Sequence, residues 1–269
     1  MRTILDRDRT VAALDEEFDA IVDLAERLEG PEWGRPTACP GWTVQDNVAH
    51  VIGIEAMLLG RPTPDVTLPD QLPHVRNDFG RVNEQWIEAY RPRSPAEVLD
   101  DLRGVIAERR AALAGMDQAG FEAESFTPAG QDTYGRFMRI RTMDIWMHEQ
   151  DVREAVGRPG HDAGAAVEAA LDEMTAALGF VVGKRAGAPQ GTSVRFELTG
   201  PAARVLDVEV GDRARVVDAL AGPPTATLSM PALLFTRLCG GRGADAGGVV
   251  VSGDRALGAR VAESMGFMI

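Results

Sequence analysis

The chain has 269 residues, 45% of them hydrophobic, and its 41 acidic against 28 basic side chains give a formal net charge of -13. That length suits one large domain or two ordinary ones, and the acidic balance argues against nucleic-acid phosphates or an anionic membrane surface as partners. Two cysteines, Cys39 and Cys239, are too few for a disulfide scaffold. The start is too acidic for a signal peptide, and no run approaches the ~18–20 apolar residues that span a bilayer, so a cytoplasmic location is expected. Lys184 is the only lysine among the basic residues, a bias that looks like high-GC coding.

Residues 8–29 read as an amphipathic helix with Val11, Leu14, Phe18, Ile21 and Leu28 on its buried stripe, stopped by Gly30-Pro31. Trp33 to Gly41 is a loop rich in Pro and Gly. A second helix starts at Thr43, where Asp46 three residues later completes a capping box. It is apolar nearly all round through Leu59, so it should be central, yet it carries His50 and Glu55. Arg61 to Pro73 is a proline-rich loop. Residues 75–91 give a third helix, and Ser94-Pro95 opens a fourth, with Val98, Leu102, Val105, Ile106 and Leu113 inward. Residues 116–133 read as an irregular connection. The next helix, 134–157, ends at Gly157-Arg158-Pro159-Gly160, the clearest domain boundary in the chain. A helix follows over 163–183. Alternating runs then predict strands around 194–198, 206–210, 214–216, 226–230 and 249–251. A short helix to Cys239 and a last helix capped by Asp254 complete the pattern. The expected class is α+β: a helical bundle over 1–157, then a small α+β domain over 161–269.

Candidate chemistry centres on 134–157. At about 100° per residue, Ile140, Met143, Met147 and Ala155 share one face, and Asp144, His148 and Asp151 fall on it too. Glu149 and Arg153 lie on or near the opposite side. Buried charges are costly unless they are paired or bind a metal. Either Asp144 and His148 belong to a polar network, or they hold a divalent ion. His50 poses the same question on the second helix, and one shared ion answers both. His50, Asp144 and His148 make a two-histidine, one-carboxylate set of the kind built between bundle helices. Three protein ligands leave a position open, as in catalytic zinc, and non-haem iron uses the same residue types. Asp151 is placed to orient His148 or to contact a bound ligand. Phosphate-binding loops and a serine-nucleophile elbow have no match. Cys39 and Cys239 read as structural.

Cys39-Pro-Gly-Trp42-Thr-Val-Gln-Asp46-Asn-Val-Ala-His50 resembles the second-helix motif of the DinB-like four-helix bundle. Asp144-Ile-Trp-Met-His148-Glu-Gln-Asp151-Val-Arg153, followed by Gly157-Arg-Pro159, resembles the later metal-binding helix of the mycothiol-dependent maleylpyruvate isomerase family. Ala226-Thr-Leu-Ser-Met-Pro231, Leu238-Cys-Gly-Gly-Arg242 and Val251-Ser-Gly-Asp254 are similar to that family's sterol-carrier-protein-like second domain. The resemblance implies zinc on His50, Asp144 and His148, with mycothiol as the thiol cofactor, and Asp151 and Arg153 are assigned to the cofactor. It also implies a functional arginine in the second domain: Arg242, with Arg237 as competitor. The family isomerase carries Glu where this chain has Asp144, one methylene shorter. The implied activity is attack of a zinc-activated thiol on a small electrophile, giving isomerisation or thiol transfer. The rivals are a non-catalytic binding protein and a hydrolase using metal-activated water.

Overall fold

The computed structural model describes residues 2–69, 71–243 and 245–268. The chain divides into two compact units, Met1–His161 and Asp162–Ile269. His161, placed by the sequence reading at the start of the second domain, falls in the first.

The first unit is helical. α1 (Arg7–Glu26) is capped by the Asp6 carboxylate, which accepts from the Arg9 N–H. α2 (Val44–Leu58) has the expected capping box between Thr43 and Asp46, and α4 (Pro95–Ala114) has one between Ser94 and Glu97. α3 (Asp78–Tyr90) packs on α2. α6 (Tyr134–Val156) closes the bundle against α1 and α2 and stops at Gly157, whose φ of 71° suits a residue without Cβ. α1, α2, α4 and α6 surround a core that includes Leu14, Phe18, Ile52, Leu102 and Ile145.

The stretch 116–133 departs from expectation. It holds the short helix α5 (Gln118–Glu122) and a hairpin of β1 (Glu124–Thr127) and β2 (Gly130–Thr133). Its turn closes when the Thr127 hydroxyl donates to the Gly130 carbonyl at 2.7 Å and accepts from the Ala129 N–H at 3.1 Å. α6 also differs from the one-faced helix of the sequence reading. Glu149, expected on the far side, is fully buried, whereas Met143 and Ala155 are half-buried. The helix is covered on more than one side because α1 and α2 both pack on it.

The second unit begins with α7 (Ala165–Ala176), a single turn α8 (Leu178–Phe180) and a π turn at Val181–Arg185, where one long helix was expected. Close approach explains part of the break: a Cβ at Gly179 would sit 2.7 Å from the Ala214 carbonyl oxygen. The five-stranded sheet runs β5 (Ala214–Val217), β4 (Arg204–Val210), β3 (Ser193–Thr199), β6 (Ala226–Pro231), β7 (Val250–Gly253). The β3–β6 pair is parallel and the other pairs antiparallel. Val194, Phe196 and Leu198 alternate inward along β3. α9 (Ala232–Cys239) and α10 (Arg255–Glu263) pack on the sheet, α10 capped by Asp254. The α+β class is as expected. Among the described residues no helix is long and apolar enough to cross a membrane.

Candidate metal centre

Two helices and one loop meet at the centre of the first unit. α2 supplies Asn47 and His50, α6 supplies Asp144, His148 and Asp151, and the loop before α2 supplies Cys39 and Trp42. Val48, Val51 and Ile52 fix the α2 face by packing into the core, so His50 is carried inward and is only 3% exposed. His50 and His148 meet edge to face with ring centroids 4.6 Å apart, and the Trp42 ring lies 5.2 Å from one and 5.5 Å from the other.

His50 Nε2 stands 3.0 Å from Asp144 Oδ2, and His148 Nε2 stands 3.7 Å from Asp144 Oδ1. One ligand atom from each of the three residues lies within 4.8 Å of the others. Two donors on one ion at ordinary zinc distances are separated by at most about 4.4 Å, and both measured separations fall inside that limit. Asp144 retains 32% side-chain exposure and opens the site to solvent.

The protonation pattern suits a cation. Asn47 Nδ2 donates to the Thr37 hydroxyl and the Thr43 carbonyl, which turns Oδ1 toward His148. His148 Nδ1 therefore donates to Asn47 Oδ1, at 2.7 Å, and Nε2 is the nitrogen that faces Asp144. Burial works to raise the Asp144 carboxyl. Arg141 and then His50 and His148 outweigh it and hold the group well below the usual carboxylate range. Asp144 is thus ionised, the state a ligand requires. His50 Nδ1 is buried and has no hydrogen-bond partner, and Nε2, the nitrogen that meets Asp144 Oδ2, is the one placed to meet an ion. These residues fit a divalent ion on a nitrogen, nitrogen and oxygen set.

Behind Asp144 runs a buried chain of charges. Arg141 Nη1 donates to Asp144 Oδ2, and Arg141 Nε donates to Glu55 Oε1 at 2.8 Å. Arg109 Nε donates to Glu55 Oε2 at 2.7 Å. Glu55 stood out in the sequence as a polar residue in an apolar helix. Its partners did not, although Arg141, three positions before Asp144, lies on a neighbouring helical position. Asn47 gave no signal at all.

Asp151 and Cys39 flank the centre. The Cys39 thiol donates to Asp151 Oδ2 at 3.1 Å and lies 3.8 Å from His148 Nδ1. Orientation of the His148 ring falls to Asn47, because Asp151 Oδ2 is 3.6 Å from Nδ1. Arg153 is not brought to this group. It pairs with Glu149, its Nε donating to Oε1 at 2.7 Å. In the second unit, Arg242 Nη1 donates to the Gly240 carbonyl at 2.9 Å, and Arg237 Nη2 donates to the Arg242 carbonyl at 3.3 Å. The two arginines share the wall of a cavity of about 300 Å³ with Leu238, Gly241 and Glu263.

Comparison with known proteins bears on this arrangement. Residues 14–153 match the family described as the mycothiol maleylpyruvate isomerase N-terminal domain, and residues 168–260 match the C-terminal domain of the same family. Two uncharacterized proteins of Mycobacterium tuberculosis, from strains CDC 1551 and H37Rv, are each 27% identical over 197 residues, covering 71% of this chain and 73% of theirs. Among solved structures, a mycothiol-dependent maleylpyruvate isomerase is similar with a TM-score of 0.57 at 17% identity. A histidine-to-alanine mutant of that enzyme gives 0.58 at 16%. Each alignment covers 94% of this chain and 96% of the other, and at that identity the likeness is one of fold.

Proposed function

The chain belongs to the mycothiol maleylpyruvate isomerase family, and from that premise we propose that it is a metal- and mycothiol-dependent enzyme acting on a small electrophile, by isomerisation or by thiol transfer. The observation that carries the reading is the convergence of His50, Asp144 and His148 from two helices. These three would hold a divalent ion, zinc by the resemblance. The ion would supply Lewis acidity that deprotonates a bound thiol near neutral pH, and the thiol would supply the nucleophile for an activated double bond or epoxide.

The chain's own residues do the rest. Asn47 holds His148 in the tautomer that presents Nε2. Arg141 keeps Asp144 ionised and oriented. Trp42 walls one side of both rings and limits water there. Asp151 is assigned to the thiol cofactor, beside the Cys39 thiol that it already accepts. Arg153 was assigned there from sequence, and its bond to Glu149 favours a structural role instead. Arg242 is the arginine proposed for a substrate carboxylate, which a guanidinium binds bidentately, and Arg237 beside it is the competitor.

A second reading draws on the Arg141 bond to Asp144. An acid already paired in this way completes a polar core, and the protein would then bind ligands without turnover. His148→Ala separates the two readings. We expect it to lose the ion and to abolish the mycothiol-dependent conversion of maleylpyruvate or a related electrophile. Metal content unchanged in that variant would refute the ligand assignment, and activity without thiol would point to metal-activated water.

A further inference from the structure

A second group of ligand-type side chains lies in the first unit, apart from the centre described above. Glu17 on α1, Glu149 on α6 and His161 after α6 each offer one atom, and these atoms lie within 4.8 Å of one another. His161 Nδ1 is 2.6 Å from Glu149 Oε2 and 3.6 Å from Glu17 Oε2. The 3.6 Å separation is one that a single ion bridges at ordinary nitrogen and oxygen bond lengths of about 2.0–2.2 Å, and at the 2.6 Å contact, a hydrogen bond here, an ion would take the place of the shared proton.

Glu17 is what makes the group unusual. It is fully buried, and neither carboxylate oxygen has a hydrogen-bond partner. A buried carboxylate left in that state is costly, and such groups are normally paired or bound to a metal. Arg153 gives it no hydrogen bond, because the Nε and Nη2 atoms of Arg153 are directed at Glu149 Oε1. Glu16 adds a further carboxylate, 3.4 Å from His161 Nε2. Glu17, Glu149 and Glu16 thus outnumber Arg153 even when His161 is protonated.

The loop that carries His161 is held over the group. Its carbonyl accepts from Trp146 Nε1 at 2.9 Å and from Gln150 Nε2 at 3.2 Å. Among the described residues His161 is the one non-glycine with positive φ, at 51°. A conformation of that kind persists only when its surroundings enforce it. The imidazole, 12% exposed, forms the edge of the group toward solvent.

We propose that Glu17, Glu149 and His161 form a second divalent-cation site, which clamps α1, α6 and the segment after α6 together. Two carboxylates and one imidazole suit zinc or manganese rather than a soft thiophilic metal. The site is independent of the reading of His50, Asp144 and His148, since it shares no ligand with them.

Zinc titration of the metal-free full-length protein tests this, with stoichiometry read by calorimetry and by elemental analysis after gel filtration. We expect two ions per chain in the parent, one in His148→Ala, one in Glu17→Gln and none in the double variant. Zinc should also raise the melting temperature of His148→Ala and leave that of the double variant unmoved. Glu17→Gln is nearly isosteric, so its fold should survive, as circular dichroism will show. His161→Gln provides a second route to the same loss. If Glu17→Gln and His161→Gln bind as many ions as the parent, the second site is refuted. The same holds if His148→Ala binds none. If His148→Ala binds two, the first ligand assignment fails and the second site stands.

Discussion

Asn47 decides which nitrogen of His148 faces the centre. Its amide is locked by Thr37 and Thr43, so Oδ1 has no other orientation available to it. Partners behind a metal-binding histidine typically control affinity by 10–100-fold. Asn47→Leu should therefore weaken zinc binding by roughly that factor while retaining the helical fold, and Asn47→Asp, which keeps an acceptor, should recover most of it. Competition with a chromophoric chelator measures both. The three candidate ligands were legible in the sequence because His50, Asp144 and His148 each put a polar atom on a face that periodicity marks as buried. Asn47 was not, because its partner lies 101 positions away and a buried amide breaks no pattern in a helix already rich in polar groups at its start. Arg141 was hidden for a related reason. A lone arginine on a helix reads as surface until its partner Glu55, 86 positions earlier, is placed against it.

Helix α2 crosses α3 at a point where there is no room for a side chain. A Cβ on Gly53 would lie 2.6 Å from Trp86 Cγ and 2.7 Å from Trp86 Cβ. Alanine is the better helix former by about 1 kcal/mol, yet overpacking a core costs about 1–3 kcal/mol. Packing wins here, because the Trp86 ring is 7% exposed and its own backbone lies behind it. Gly53→Ala should lower the urea midpoint, with a net loss of about 1–2 kcal/mol. At this scale the sequence was most readable at helix starts: Thr43 with Asp46, Pro95 in the first position of α4, and Asp254 with the Leu257 N–H. It was least readable over 116–133. There each strand has four residues without hydrophobic alternation, and Phe126, the one apolar side chain in the two, is 75% exposed. What makes the hairpin is the turn chemistry of Thr127 and Gly130, which pattern reasoning does not register. α6 was found as a helix but assigned one buried face. The rest of its burial comes from α1 and α2, which no window on α6 contains.

For the molecule as a whole, the buried acids set how stability depends on pH. Burial first, and then repulsion from Glu149, push the Glu17 carboxyl well above 4.5, with Arg153 opposing and Glu16 adding to the rise. The native state then holds a proton that the unfolded chain has released, so Glu17 makes stability fall as pH rises above 4.5. His161 has the same sign. Burial lowers it, but the hydrogen bond and charge of Glu149, and then Glu16, win and raise it above 6.5. Its contribution is complete below 6.5 and is lost as pH climbs through its native value. Asp132 acts in the opposite direction. Burial raises it, but the Thr3 N–H, Arg136, the Thr3 hydroxyl and the Thr133 N–H together hold it far below 3.8. Its contribution is present above 3.8 and fades as the solution becomes more acid. The metal-free protein should therefore melt highest on the acid side of neutrality and lose melting temperature steadily toward pH 8. Scanning calorimetry from pH 4 to pH 9 measures the slope, and Glu17→Gln should flatten its lower part. Saturating zinc should reverse it. A cation bound at Glu17, Glu149 and His161 competes with protons for those atoms, so it binds harder as pH rises, and its stabilisation grows with that affinity. A slope unaltered by Glu17→Gln would mean that Glu17 ionises normally in the fold and that its burial is relieved by solvent.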